Sequence, residues 1–107
     1  MAAAAANLGG AIMYTASWNG IELAKSSRTI EIEGNQYFPP EDVTLSYFEK
    51  TDYHTTCPWK GLASYYSIKA GGDSNENAAW YYAEPKEKAQ EIKGYIAFWK
   101  GVKVEKS

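Results

Sequence analysis

One run of eight residues, His54-Thr55-Thr56-Cys57-Pro58-Trp59-Lys60-Gly61, holds the only histidine and the only cysteine of the chain, with a tryptophan and a lysine beside them. No other window offers such varied side-chain chemistry. A nearby positive charge lowers a thiol pKa from about 8.5 toward neutrality, so Cys57 is a candidate thiolate nucleophile or redox group with Lys60 as its electrostatic partner. His54 is a candidate general base, because an unperturbed imidazole titrates near ~6.5. Residues three apart on a strand point to opposite faces, so Cys57 and Lys60 meet only where Pro58 bends the chain. Each role has a plainer competitor. Free cysteines most often act as small buried hydrophobes, and lone lysines and loop histidines are most often simply solvated.

Lys60 followed by Gly61 suits a phosphate or carboxylate, the glycine permitting close backbone approach, although the remainder of a phosphate-binding loop is missing. Trp59 and Trp80 offer flat faces for a planar ligand, with core packing as the competing role. The pairs Tyr65-Tyr66 and Tyr81-Tyr82, on strands, send one ring to each face, so that one ring of each is free to line a pocket. Arg28 is the only arginine and could clamp an anion with both arms of its fork, against the plainer reading of a solvated strand residue. The resulting expectation is a pocket around Cys57-Pro58-Trp59-Lys60-Gly61, with Trp18, Tyr37, Trp80 and Tyr82 as walls. Its ligand would be a small anionic or planar metabolite, nucleotides included.

Two other classes compete with the enzyme. A non-catalytic binding module would use the aromatics and Lys60 while Cys57 only packs. A protein-interaction domain would use exposed tyrosines, and a homo-oligomer falls within that class. Composition does not separate the three.

It does limit the class. The 107 residues suffice for one domain with a modest core, burying roughly 65% of the unfolded surface. Aromatic residues make up 15% of the chain, with nine tyrosines and four tryptophans, and such residues favour strands and interfaces. The net charge of −2 has acids and bases interleaved, without the basic stripe that nucleic-acid binding needs. A single cysteine excludes an internal disulfide and the paired-cysteine zinc patterns, no cofactor is called for, and a reducing, cytoplasmic compartment fits best. Residues 1–10 lack the basic start and cleavage signature of a signal peptide and read as a flexible tail ahead of a single domain over 11–107. No run of about 18 apolar residues points to a membrane span.

The elements that must position these residues are short strands. Ala11–Trp18 and Ile21–Ala24 flank Asn19-Gly20, a strong two-residue hairpin signal. Arg28–Glu33 alternates polar and apolar, Gly34-Asn35 turns it, and Gln36–Phe38 returns until Pro39-Pro40 stops the ladder. Val43, Leu45 and Tyr47 alternate as in another short strand, and Glu49–Thr55 reads as a polar loop. Leu62–Lys69 and Ala78–Tyr82 predict a strand pair about a polar tip at Gly71–Asn77. Pro85 opens the one expected helix, ended by Gly94. Tyr95–Trp99 reads as a buried central strand, and Lys100-Gly101 turns into Val102–Glu105. About eight short, mostly antiparallel strands and one short helix make a mainly β domain.

Trp18-Asn19-Gly20, Tyr37-Phe38-Pro39, Thr56-Cys57-Pro58-Trp59-Lys60-Gly61, Ala79-Trp80-Tyr81-Tyr82 with Pro85, and Ile96-Ala97-Phe98 stand in an order that resembles a small family. It is the domain of unknown function four-two-seven, some of whose members carry a nucleotidyltransferase label. The match runs from about Ile12 to Val104. The resemblance implies a tent-shaped β-fold like that of methionine sulfoxide reductase B and the glutathione-dependent formaldehyde-activating enzymes. Zinc, which those relatives hold on two cysteine pairs, does not carry over to a chain with one cysteine. The aspartate pairs of two-metal nucleotidyl transfer are also not evident, since Asp42, Asp52 and Asp73 are the only aspartates.

Overall fold

The computed structural model describes residues 12–107. The segment expected as a tail, 1–10, and Ala11 lie outside them. Nine strands form three antiparallel sheets among the described residues. Strands β1 (Tyr14–Trp18) and β2 (Ile21–Ser26) pair about Asn19-Gly20, both with positive φ, as the sequence predicts. The last strand, β9 (Lys103–Lys106), adds to the other side of β1, so this sheet runs β2-β1-β9. A small hairpin follows from β3 (Ile30–Ile32) and β4 (Asn35–Tyr37). Its turn is centred on Glu33-Gly34, one residue earlier than expected, with φ of 55° and 82°.

The largest sheet runs β5 (Phe48–Cys57), β6 (Gly61–Ala70), β7 (Asp73–Tyr81) and β8 (Ile96–Phe98) in that order. Several expectations change here. Glu49–Thr55 is strand rather than loop, and it reads as polar because β5 is an edge strand exposed on most of both faces. The supposed tip at Gly71–Asn77 shrinks to Gly71-Gly72, since Ala70 already pairs with Asp73. Val43–Tyr47 is not a strand. A 3-10 turn at Pro40–Asp42 precedes it and another occupies Leu45–Tyr47, with only Val43 bridged, to Ala24. The expected helix is a kinked 3-10 segment over Glu87–Ile92, broken at Ala89.

β8 is fully buried, as its apolar sequence requires, but it ends the sheet instead of crossing its middle. Its outer edge is closed by Phe38, which exchanges backbone hydrogen bonds of 2.8 Å with Ile96 in both directions. That bridge ties the β3–β4 hairpin to the main sheet.

Two cores flank this sheet. One lies under β2-β1-β9 and contains Ala16, Leu23, Phe38, Ile68, Ala79, Ile96 and Phe98. The other contains Tyr37, Ala63, Tyr65, Tyr82, Ala89, Ile92 and Ala97. Alternation on the strands sorts the residues, so Tyr66 and Tyr81 serve the first core while Tyr65 and Tyr82 serve the second.

Candidate functional site

The β5–β6 connection is closed by the pair Cys57 and Gly61, leaving Pro58, Trp59 and Lys60 as its loop. Gly61 has φ of 112°, and a Cβ there would lie 3.4 Å from the backbone nitrogen of Lys86. Only glycine meets both conditions without strain. Lys86 then fixes the loop twice, its backbone N–H donating to Lys60 O at 2.9 Å and its Nζ to Pro58 O at 2.8 Å.

This anchoring turns the Lys60 side chain inward, where only 6% of it stays exposed. Its ammonium donates to Glu33 Oε1 from the β3–β4 turn. The same charge lies 5.2 Å from the Trp59 ring centre and 5.8 Å from that of Tyr82, both within cation–π range. Burial is the largest single influence on the Lys60 pKa and acts to lower it, but the Glu33 hydrogen bond and the surrounding acidic groups together outweigh it, and the net direction is upward. Lys60 is therefore a cation at neutral pH. Glu33 moves the other way, held below the usual carboxylate value first by the Lys60 hydrogen bond and then by that of Trp59.

Lys60 borders a cavity of about 230 Å³. Its walls are aromatic, built from Tyr37, Tyr65, Trp80, Tyr82 and Trp99, with Asn35 as the remaining polar contribution. Trp80 stands edge-on to Tyr37 at 6.1 Å and to Trp99 at 6.2 Å. Its indole N–H donates to the Tyr37 hydroxyl at 3.1 Å, and the Tyr65 hydroxyl shares a hydrogen bond of 2.9 Å with Thr55 Oγ1. Burial raises the pKa of Tyr37 and of Tyr82, so both present neutral phenols. One cation, neutral hydroxyls and an amide among flat rings form a binding surface for a planar group with an anionic or hydrogen-bonding edge.

The structure gathers Tyr37, Lys60, Trp80 and Tyr82 at this cavity; Trp59 does not line it, and instead its Nε1 donates to Glu33 Oε2 at 3.3 Å. Cys57 is half-buried against the second core, on the same face, without lining the cavity. His54 pairs with Ser64, one residue out of phase with Thr55 and Tyr65, and so belongs to the opposite face. There its Nδ1 lies 3.2 Å from Ser64 Oγ and 3.3 Å from Ala63 O. Trp18 packs against the first core, across the sheet. Arg28 is exposed and paired with Asp42 at 3.1 Å and Glu41 at 3.4 Å. Among the described residues no group of three or more His, Cys, Asp or Glu side chains is placed to hold a metal ion, and no helix is long and apolar enough to cross a membrane.

Asn35, Trp99 and Glu33 stand outside the expected site, and Tyr65 enters it only as one ring of the Tyr65-Tyr66 pair. Both aromatics carry a signal, Tyr65 as the cross-strand partner of Trp80 and Trp99 as the ring that follows β8 and meets Trp80. Glu33 had none, for its partner lies 27 positions away.

Fold and site together define a mainly β domain with an aromatic cavity built beside a buried lysine. The sequence profile described as domain of unknown function (DUF427) matches residues 13–107, nearly the whole chain, and the protein belongs to that family. A search of curated proteins returns no match.

Proposed function

We propose that this protein is a small-ligand-binding domain whose cavity receives one planar group against Trp80, Tyr82 and Trp99, with a polar or negative edge turned to Lys60. The supporting observation is the lysine itself. Desolvating an ammonium costs several kcal/mol, and this one, offset by its pairing with Glu33, is held in the wall of a cavity otherwise lined by aromatic rings and Asn35. Binding without thiol chemistry is the better-supported version, because neither Cys57 nor His54 lines the cavity.

The nucleotidyltransferase label fits this reading through a nucleobase alone. A volume of about 230 Å³ is below the ~300–1,000 Å³ usual for pockets that enclose a drug-sized ligand, so phosphates would remain outside. A cytoplasmic setting belongs to the proposal as well, supported by the free thiol of Cys57.

The test is an amide NMR titration with benzamide and with adenine. At least one probe should shift the resonances of Trp80, Tyr82 and Trp99. Trp99 is 44% exposed, so Trp99→Ala should leave the fold intact while weakening binding about tenfold, within the ~1–3 kcal/mol of a base stacked on an aromatic ring. The reading fails if neither probe perturbs the cavity at millimolar concentration.

A further inference from the structure

Glu33 engages the Pro58–Lys60 loop with both carboxylate oxygens. Oε1 accepts from Lys60 Nζ and Oε2 from Trp59 Nε1. Two donors set side by side against the two oxygens of one planar anion form a carboxylate receptor, and charge assistance from the ammonium strengthens it. The two halves of the contact differ in how they are held. The donors sit on a loop locked by Lys86, with the lysine side chain only 6% exposed. The acceptor is 54% exposed and hangs from the turn of two three-residue strands, at a left-handed φ of 55° that few residues other than glycine adopt. Space flanks this hairpin on both sides, since Asn35 lines the aromatic cavity and also a second cavity of about 310 Å³ shared with Tyr14 and Phe98.

We propose that Lys60 and Trp59 form a receptor for the carboxylate of a small aromatic acid, and that Glu33 is an internal occupant which the acid displaces as its ring enters the cavity. The inference rests on the ligand-binding reading above and adds the class of ligand. Glu33 is tethered and therefore competes at high effective concentration, so a bare carboxylate does not displace it. The ring must supply the remainder by stacking and apolar burial. Displacement also frees the β3–β4 turn, coupling occupancy of the cavity to mobility of the hairpin.

The experiment titrates benzoate, benzamide and acetate into the wild-type protein, Glu33→Gln and Lys60→Met, followed by amide NMR. Glu33→Gln should tighten benzoate about tenfold and leave benzamide unchanged. Lys60→Met should reduce benzoate to the affinity of benzamide, and acetate should bind neither the wild type nor Lys60→Met. Saturating benzoate should speed amide hydrogen exchange across residues 30–37 of the wild type. Benzoate binding that is equal or weaker in Glu33→Gln would overturn the proposal, as would hairpin exchange that is slowed or unchanged. If benzamide binds throughout while these results fail, the acid class falls and the cavity reading stands. If neither ring binds any of the proteins and adenine also leaves the cavity unperturbed, both fall. Should Lys60→Met melt before it can be titrated, Glu33→Gln and the exchange measurement decide between them.

Discussion

The two faces of the four-stranded sheet are built from neighbouring residues and do different work. On one, Ile68, Ala79, Ile96 and Phe98 meet Leu23 and Ala16 beneath a full second sheet. Rings there interlock edge to face, Phe38 with Phe98 at 5.5 Å and Phe48 with Tyr66 at 5.6 Å. On the other, Tyr65, Tyr82 and Ala97 are covered by a short hairpin and a 3-10 segment. Ring packing there leaves a cavity, and a lysine lies in its wall. The first face has a cavity of its own at its rim, beside Tyr14 and Phe98, but its interlocked apolar rings make a contact surface that stabilises the fold. An aromatic surface with polar tips under a small cover retains room and donors for something else. One step along a strand, from Tyr81 to Tyr82, moves between these regimes.

The comparison predicts unequal costs for substitution on the two faces. Phe38 is fully buried in the first core and also carries the bridge to Ile96. Phe38→Ala should cost about 3–5 kcal/mol, a large part of the ~5–15 kcal/mol typical of a domain, read from urea or thermal unfolding. A loss under ~1 kcal/mol would mean that this face does not dominate stability. Tyr37 is equally buried but belongs to the cavity face. Tyr37→Phe keeps the ring and removes the acceptor of the Trp80 N–H, so about 1–2 kcal/mol should be lost. Trp80 should become more mobile in its side-chain NMR signals. If the loss matches that of Phe38→Ala, the contrast between the faces breaks down.

These two regions were not equally legible in the sequence. Asn19-Gly20, Pro39-Pro40 and the apolar Ile96-Ala97-Phe98 carry their structure locally, through backbone preference or burial, and the first core follows from them. β5 did not, because an edge strand exposed on both faces has no apolar periodicity to show. Val43, Leu45 and Tyr47 misled in the opposite sense, since alternation over so few residues is also met by consecutive 3-10 turns. At the site, the loop around Lys60 was visible as an unusual cluster, but the direction of the lysine is set by Lys86, and its partner by a turn at Glu33. Both are tertiary contacts, 26 and 27 positions from Lys60, that local chemistry does not encode.

The smallest expected effect isolates that tertiary contact. Glu33 has its folded pKa depressed below the ordinary 4.5 by the hydrogen bonds from Lys60 and Trp59. Its contribution to stability is therefore fully present above that value and lost as pH falls through the lower, folded pKa. Lys60 is raised above the ordinary 10.5, so its share is present throughout neutral pH and lost only as pH rises past its folded pKa. Between these limits the pair should contribute a constant amount. Glu33 is more than half exposed, and solvent screening keeps that amount small. The difference in melting temperature between wild type and Glu33→Gln should accordingly be flat from about pH 5 to pH 9 and shrink below about pH 4. A difference that persists unchanged at pH 2.5 would mean that the variant acts through the strained turn rather than through the ion pair. Carboxylate displacement at Lys60 would then lose its electrostatic basis.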